Sequence, residues 1–260
     1  MSQQWPATAF LRGSGAAAAL ALALWAAAPA LAEGEAPVTP LPGSPAFDAA
    51  VREYLLAHPE VVVEALELYQ AKQHAAETES QRQAVAGNLD RLLADESSPI
   101  LGNPEGDVTV VEFFDYRCPY CRKVAEDLRQ TVAEDGNVKL VMKEWPILGP
   151  QSLYAAQVAL AAHRQGKYEA FHFAMMTQPG DMTEESVLAL AESLGLDRER
   201  LIADLQRPEI EAALRRNFEL ADALKLGGTP AFVVGEELVP GAVDAATLKR
   251  LIAKARKPAG

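Results

Sequence analysis

A β-branched and aromatic run that ends in two cysteines limits the folding choices of this chain more than any other stretch. It reads VTVVEFFDYRCPYC, residues 108–121, and Cys118 and Cys121 are the only 2 cysteines in 260 residues. VTVVEFF has the composition of a buried strand, and CRKVAEDLRQTVAED after it has helical periodicity. A helix tolerates proline in its first turn, where an N–H has no intrahelical partner, so Pro119 predicts Cys118 at the helix N-terminus. The cysteines are therefore expected where a strand hands over to a helix, as an α/β layer provides.

Zinc normally takes four ligands, and two cysteines supply half of them. His58, His74, His163 and His172 do not show the spacing of a zinc histidine pair, so no metal site is predicted. A structural disulfide closing so short a loop would constrain the unfolded chain little. A redox pair accounts for the context better. The helix N-terminus favours a thiolate at Cys118, which makes it both nucleophile and leaving group. Cys121, one turn on, is placed to attack a mixed disulfide and release the partner. Arg117, Arg122 and Lys123 add positive charge nearby. The disulfide is then itself the redox group, and no cofactor is needed. The alternative is a non-catalytic binding protein, either chaperone-like or holding Cu(I) between the thiols, since thiolates suit that ion.

Compartment bears on the same question. Residues 1–32 carry Arg12 followed by an apolar stretch ending Ala30-Leu31-Ala32, the pattern of a cleaved secretory signal with the mature chain starting near Glu33. No other segment is long and apolar enough to span a bilayer. Removing residues 1–32 moves the net charge from -12 to -13, which excludes a basic nucleic-acid footprint and disfavours anionic lipid. Export places the cysteines in an oxidising compartment, and the expected location is the periplasm.

Residues 33–46 read as a proline-rich leader and 47–100 as a helical arm, with Pro59 opening its second helix. Val51, Leu55, Val62, Leu66 and Tyr69 mark one apolar seam, which turns polar at Gln73, Ala76, Ser80 and Gln83. Residues 33–96 hold 12 acids and 4 bases, so the arm is strongly acidic. Three roles stay open for it: a solvated appendage, a self-association device, or a docking arm. SSPILGNPEGD, 97–107, reads as a turn-rich boundary. Residues 101–260 read as an α/β domain: strand, helix, the strand NVKLVMKEW, a helical insertion at about 150–225, the strand pair in PAFVVGEELV, and a closing helix.

VVEFFDYRCPYC and GGTPAFVVG, with the helical block between them, resemble the DsbA family of thioredoxin-fold proteins, and in layout its ScsC-like members with an N-terminal extension. The resemblance implies a thioredoxin fold with a helical insertion and a protein thiol–disulfide oxidoreductase, either oxidase or isomerase. It implies exported proteins with cysteines as partners, together with a membrane redox partner. It assigns Glu112, six positions before the first cysteine, to proton transfer at the buried thiol, with Lys139 or Lys143 as its cationic neighbour. It implies a cis Pro230 facing the cysteines, and a Thr229 backbone offered to an extended substrate segment. Pro119 and Tyr120 would tune the couple. Strongly oxidising members carry histidine where Tyr120 stands, and a neutral tyrosine supplies no imidazolium charge, so a less oxidising couple is expected. ScsC-like proteins can assemble through their extension, which would suit an isomerase. Trp145, Pro146 and the turn ILGPQS are expected to pack into the core rather than form a substrate lip.

Overall fold

The computed structural model describes residues 42–256. The expected signal segment and most of the expected leader lie outside the described residues. Those described fall into two compact units, one through Val62 and one from Val63.

Helix α1 (Pro45–Ala57) begins as its sequence directs: Pro45 takes the first turn, and Ser44 Oγ accepts the Phe47 N–H at 3.2 Å. It buries none of its residues. Helix α2 (Pro59–Ala86) opens at the second proline and buries only Val85, near its end. The short α3 (Leu89–Leu93) buries Leu92.

The second unit is built on a sheet of β1 (Ile100–Gly102), β2 (Val108–Phe114), β3 (Val138–Glu144), β4 (Ala231–Val234) and β5 (Glu237–Pro240), in the order β1-β3-β2-β4-β5. β2 and β3 are parallel, joined through α4 (Pro119–Asp135), and every other pair is antiparallel. A parallel pair needs such a crossover. α4 stops at Gly136, whose φ of 70° suits glycine and whose N–H returns to the Val132 carbonyl at 3.1 Å. β1 lies inside the stretch expected to be a turn-rich boundary. Three residues are too few to show a period, and only pairing with β3, Ile100 opposite Val141, makes them a strand.

Helices α5 (Pro150–Arg164), α6 (Tyr168–Thr177), α7 (Glu184–Ser193), α8 (Arg198–Leu205) and α9 (Pro208–Ala223) form the insertion, and α10 (Ala245–Ala255) closes the chain. Residue alternation divides the sheet between two cores. Val110, Phe114, Leu140 and Met142 face one core, shared with Val124 and Leu128 of α4 and Phe171 of α6. Val111, Phe113, Val141 and Trp145 face the other, shared with Val85, Leu92, Leu220 and Leu224. Burial on both faces is why VTVVEFF is a continuous apolar run rather than an alternating one. The same run carries one acid, Glu112, on the α4 side. The antiparallel register Phe113 to Ala231 brings Thr229 and Pro230 to the end of β2, where the cysteine loop leaves the sheet.

Candidate active site

Cys118 is the N-cap residue of α4, in extended conformation, with Pro119 in the first turn as the sequence predicts. Its N–H donates to the Asp115 carbonyl at 3.0 Å, and its own carbonyl accepts the Arg122 N–H at 3.1 Å. Its thiol donates to the Thr229 carbonyl at 3.2 Å, across 111 residues of sequence. The Thr229–Pro230 peptide is cis. Cys118 is 4% exposed and Cys121 is fully buried, and both are free thiols. Pro119 and Tyr120 lie on the surface, Tyr120 at 63% exposure.

Burial pushes the Cys121 thiol up, and the charge of Glu112 pushes it further, while a hydrogen bond from the Asp115 backbone pulls it down. Glu112 is itself buried, and its Oε1 has no hydrogen-bond partner among the described residues. Burial alone pushes its carboxyl up to about 8. Neither expected lysine neighbours it. β3 sets Met142 opposite Glu112, so Lys139 and Lys143, one residue either side of that face's alternation, point to the opposite core. Lys143 is fully buried there, donating to the Arg91 carbonyl and Ser98 Oγ at 2.8 Å each, with Asp95 at 3.5 Å. Lys139 donates to the Leu93 carbonyl at 3.2 Å. Both lysines fasten the α3 region to the sheet and leave Glu112 without a cation among the described residues.

On the face that carries Glu112, a second buried acid stands two residues beyond Met142. Glu144 Oε1 accepts the Tyr168 hydroxyl at 2.8 Å and the Tyr116 hydroxyl at 3.0 Å. Tyr116 Oη also lies 3.2 Å from His172 Nδ1. Burial pushes Glu144 up against the pull of the two hydroxyls, and burial pulls His172 down to about 3, so the imidazole is neutral. None of these four was singled out from sequence as a site residue. Of the three nearby cations, Arg122 donates to the Met175 and Gln178 carbonyls, Arg117 to the Leu148 carbonyl, and Lys123 faces solvent. The charge of the two arginines is directed at backbone oxygens of neighbouring segments.

The turn after β3 divides differently from expectation. Trp145 and Pro146 are buried, but Ile147 and Leu148 are 38% and 41% exposed. Asp115, also missed, holds this turn: its Oδ2 accepts the Leu148 N–H at 2.9 Å, and its Oδ1 accepts Ser152 Oγ and the Arg117 N–H at 2.7 Å each. Among the described residues no cluster of His, Cys, Asp and Glu is arranged to hold a metal ion.

A dithiol at a helix N-terminus, facing a cis-proline loop on a thioredoxin sheet, defines the thiol–disulfide oxidoreductase class. The chain belongs to the DSBA-like thioredoxin domain family, whose model matches residues 109–253. The model for the copper resistance protein ScsC N-terminal domain matches residues 46–76. Among solved structures, a thioredoxin-like oxidoreductase from Silicibacter pomeroyi is 51% identical, covering 65% of this chain and 98% of that one, with a TM-score of 0.64. BcfH of Salmonella enterica Typhimurium is 30% identical over 82% of this chain and 95% of its own, at 0.70. The catalytic domain of Proteus mirabilis ScsC is 28% identical over 67% and 98%, at 0.63. Among curated relatives, the Na(+)/H(+) antiporter NhaA 1 of Salinispora arenicola is 28% identical over 158 residues, and the chain spans 24% of its length. The probable disulfide bond formation protein D of Bacillus anthracis is 28% identical, covering 64% of this chain and 82% of its own. No helix among the described residues is long and apolar enough to cross a membrane.

Proposed function

We propose that this chain is a periplasmic protein thiol–disulfide oxidoreductase that exchanges disulfides with exported proteins through Cys118 and Cys121. The observation that carries the reading is the placement of the Cys118 sulfur, 3.2 Å from the Thr229 carbonyl before a cis-proline, with Cys121 buried behind it beside Glu112. In one direction the Cys118 thiolate attacks a client disulfide, forming the Cys118–client bond and releasing the other client sulfur as a thiolate. Cys121 then gives its proton to the minor ionised fraction of Glu112, whose carboxyl is pushed up to about 8, and attacks Cys118. The client sulfur leaves with the bonding electrons, and the Cys118–Cys121 disulfide remains. The reverse sequence oxidises a client dithiol, and there protonated Glu112 returns the proton to the departing Cys121 thiolate. Thr229 and Pro230 align the client backbone, and Pro119 and Tyr120 tune the couple. The same chemistry serves an oxidase, reoxidised by a membrane redox partner, or an isomerase held reduced.

Cys118→Ser abolishes exchange with a client, and Cys121→Ser accumulates a covalent client adduct, read by non-reducing electrophoresis and mass spectrometry. Turnover of a dithiol client by the Cys118→Ser protein would sink the mechanism. The arm supports self-association, because Tyr54, Leu56, Val63, Leu66, Leu68 and Tyr69 are all more than half exposed. The ScsC match keeps the Cu(I) reading in view. Tight stoichiometric copper binding that blocks exchange would favour it over catalysis.

A further inference from the structure

Asp115 stands between β2 and the first cysteine, is 1% exposed, and touches both halves of the site. Its backbone carbonyl accepts the Cys118 N–H at 3.0 Å, and its backbone pulls the Cys121 thiol down against burial. Its carboxylate reaches the other way, to the Leu148 N–H and Ser152 Oγ across more than 30 residues of sequence. Arg117 completes the brace by donating to the Leu148 carbonyl. Leu148 therefore has both backbone groups tied to the cysteine loop, while its side chain and that of Ile147 stay partly exposed. Gly149 follows at a φ of 105°, a conformation that suits glycine, and turns the chain into α5.

A loop with two exposed aliphatic side chains would ordinarily collapse inward or move freely. Here a buried carboxylate accepting three hydrogen bonds holds it at a set place beside the nucleophile. We propose that Asp115 is a positioning residue that presents Ile147 and Leu148 as an apolar lip to an extended polypeptide client whose cysteine sits at Cys118. This rests on the disulfide-exchange reading. The lip contributes to recognition of a polypeptide with an apolar side chain beside its cysteine, and it offers nothing to glutathione, which is too short and too polar to lie on it. Client selection and sulfur chemistry are thus coupled through one residue, whose backbone holds the turn at Cys118 and whose side chain holds the lip.

Asp115→Asn tests this. The amide oxygen keeps the Arg117 N–H and Ser152 hydroxyl, but the NH2 then opposes the Leu148 N–H, donor against donor. Rate constants are measured for the reduced protein with glutathione disulfide and with a synthetic peptide disulfide carrying leucine beside its cysteine. The ratio of peptide rate to glutathione rate falls about tenfold in the variant, the loss expected for one broken hydrogen bond to a charged group. Leu148→Ala, at an exposed position, lowers the same ratio, and the double variant is no worse than either single one. An unchanged ratio, or equal losses with both disulfides, overturns the proposal. If the Asp115 variant does not fold, amide exchange at Leu148 in the unaltered protein decides: protection of this half-exposed residue supports the brace, and free exchange refutes it. Failure of the unaltered protein to react with either disulfide refutes the exchange reading instead.

Discussion

Replacing Glu112 with glutamine tests the electrostatics of the site through stability. Glu112 is buried and uncompensated by any cation among the described residues, and its carboxyl is pushed up from 4.5 to about 8. Below pH 4.5 the group is protonated in both folded and unfolded chains and pH has no effect through it. Between 4.5 and about 8 the unfolded chain ionises while the folded one stays protonated, so stability falls as pH rises. Above about 8 both forms are ionised and the loss is complete. One pH unit corresponds to about 1.4 kcal/mol, so the stability difference between wild type and Glu112→Gln shifts by roughly 5 kcal/mol across this window. The glutamine protein is the more stable partner at the alkaline end. Urea unfolding of both reduced proteins at about pH 4, 6, 8 and 9 measures the difference, which cancels titrations common to the two. A difference that stays flat across that range refutes the reasoning. A difference that shrinks with rising pH would mean that a cation does reach Glu112 in solution.

Tyr168→Phe removes one of the two hydroxyls on buried Glu144 and costs about 2 kcal/mol, lowering Tm by about 4–8 °C in a scanning experiment. An unchanged Tm would mean that this bond is replaced elsewhere. Tyr120→His places an imidazole in the first turn of α4 and makes the couple more oxidising by on the order of 30 mV against a glutathione buffer. A potential that stays the same or falls would contradict the assigned role of Tyr120. Full-length mature protein is expected to self-associate in light scattering, and a chain starting at Gln70 to run as a monomer. A cut at Ser97 would not test this, because it also removes Val85 and Leu92 from the domain core.

The local elements and the placement of the pair were legible in the sequence. A β-branched run and a proline in the first turn define a strand and a helix start with a cysteine at its N-cap without reference to distant residues, because each rests on short-range backbone sterics. The motif GGTPAF pointed to Thr229 and Pro230 by family resemblance, and the structure sets them against Cys118. The neighbours of Glu112 were not legible. A lysine on the adjacent strand looks near in sequence terms, but the parallel register puts Met142 opposite and sends Lys139 and Lys143 to the other core. A shift of one residue would have reversed that outcome, and register is decided only when both faces of the sheet are packed. Asp115, Glu144, Tyr116, Tyr168 and His172 gave no periodic or motif signal. Their meaning depends on partners 24 to 56 residues away, which the helical insertion brings over the end of the sheet. Sequence alone determined where the two sulfurs stand and which elements carry them. The tertiary structure decided which acid is left uncompensated beneath Cys121 and which loop is braced beside Cys118, because both depend on strand register and on the packing of segments far apart in the chain.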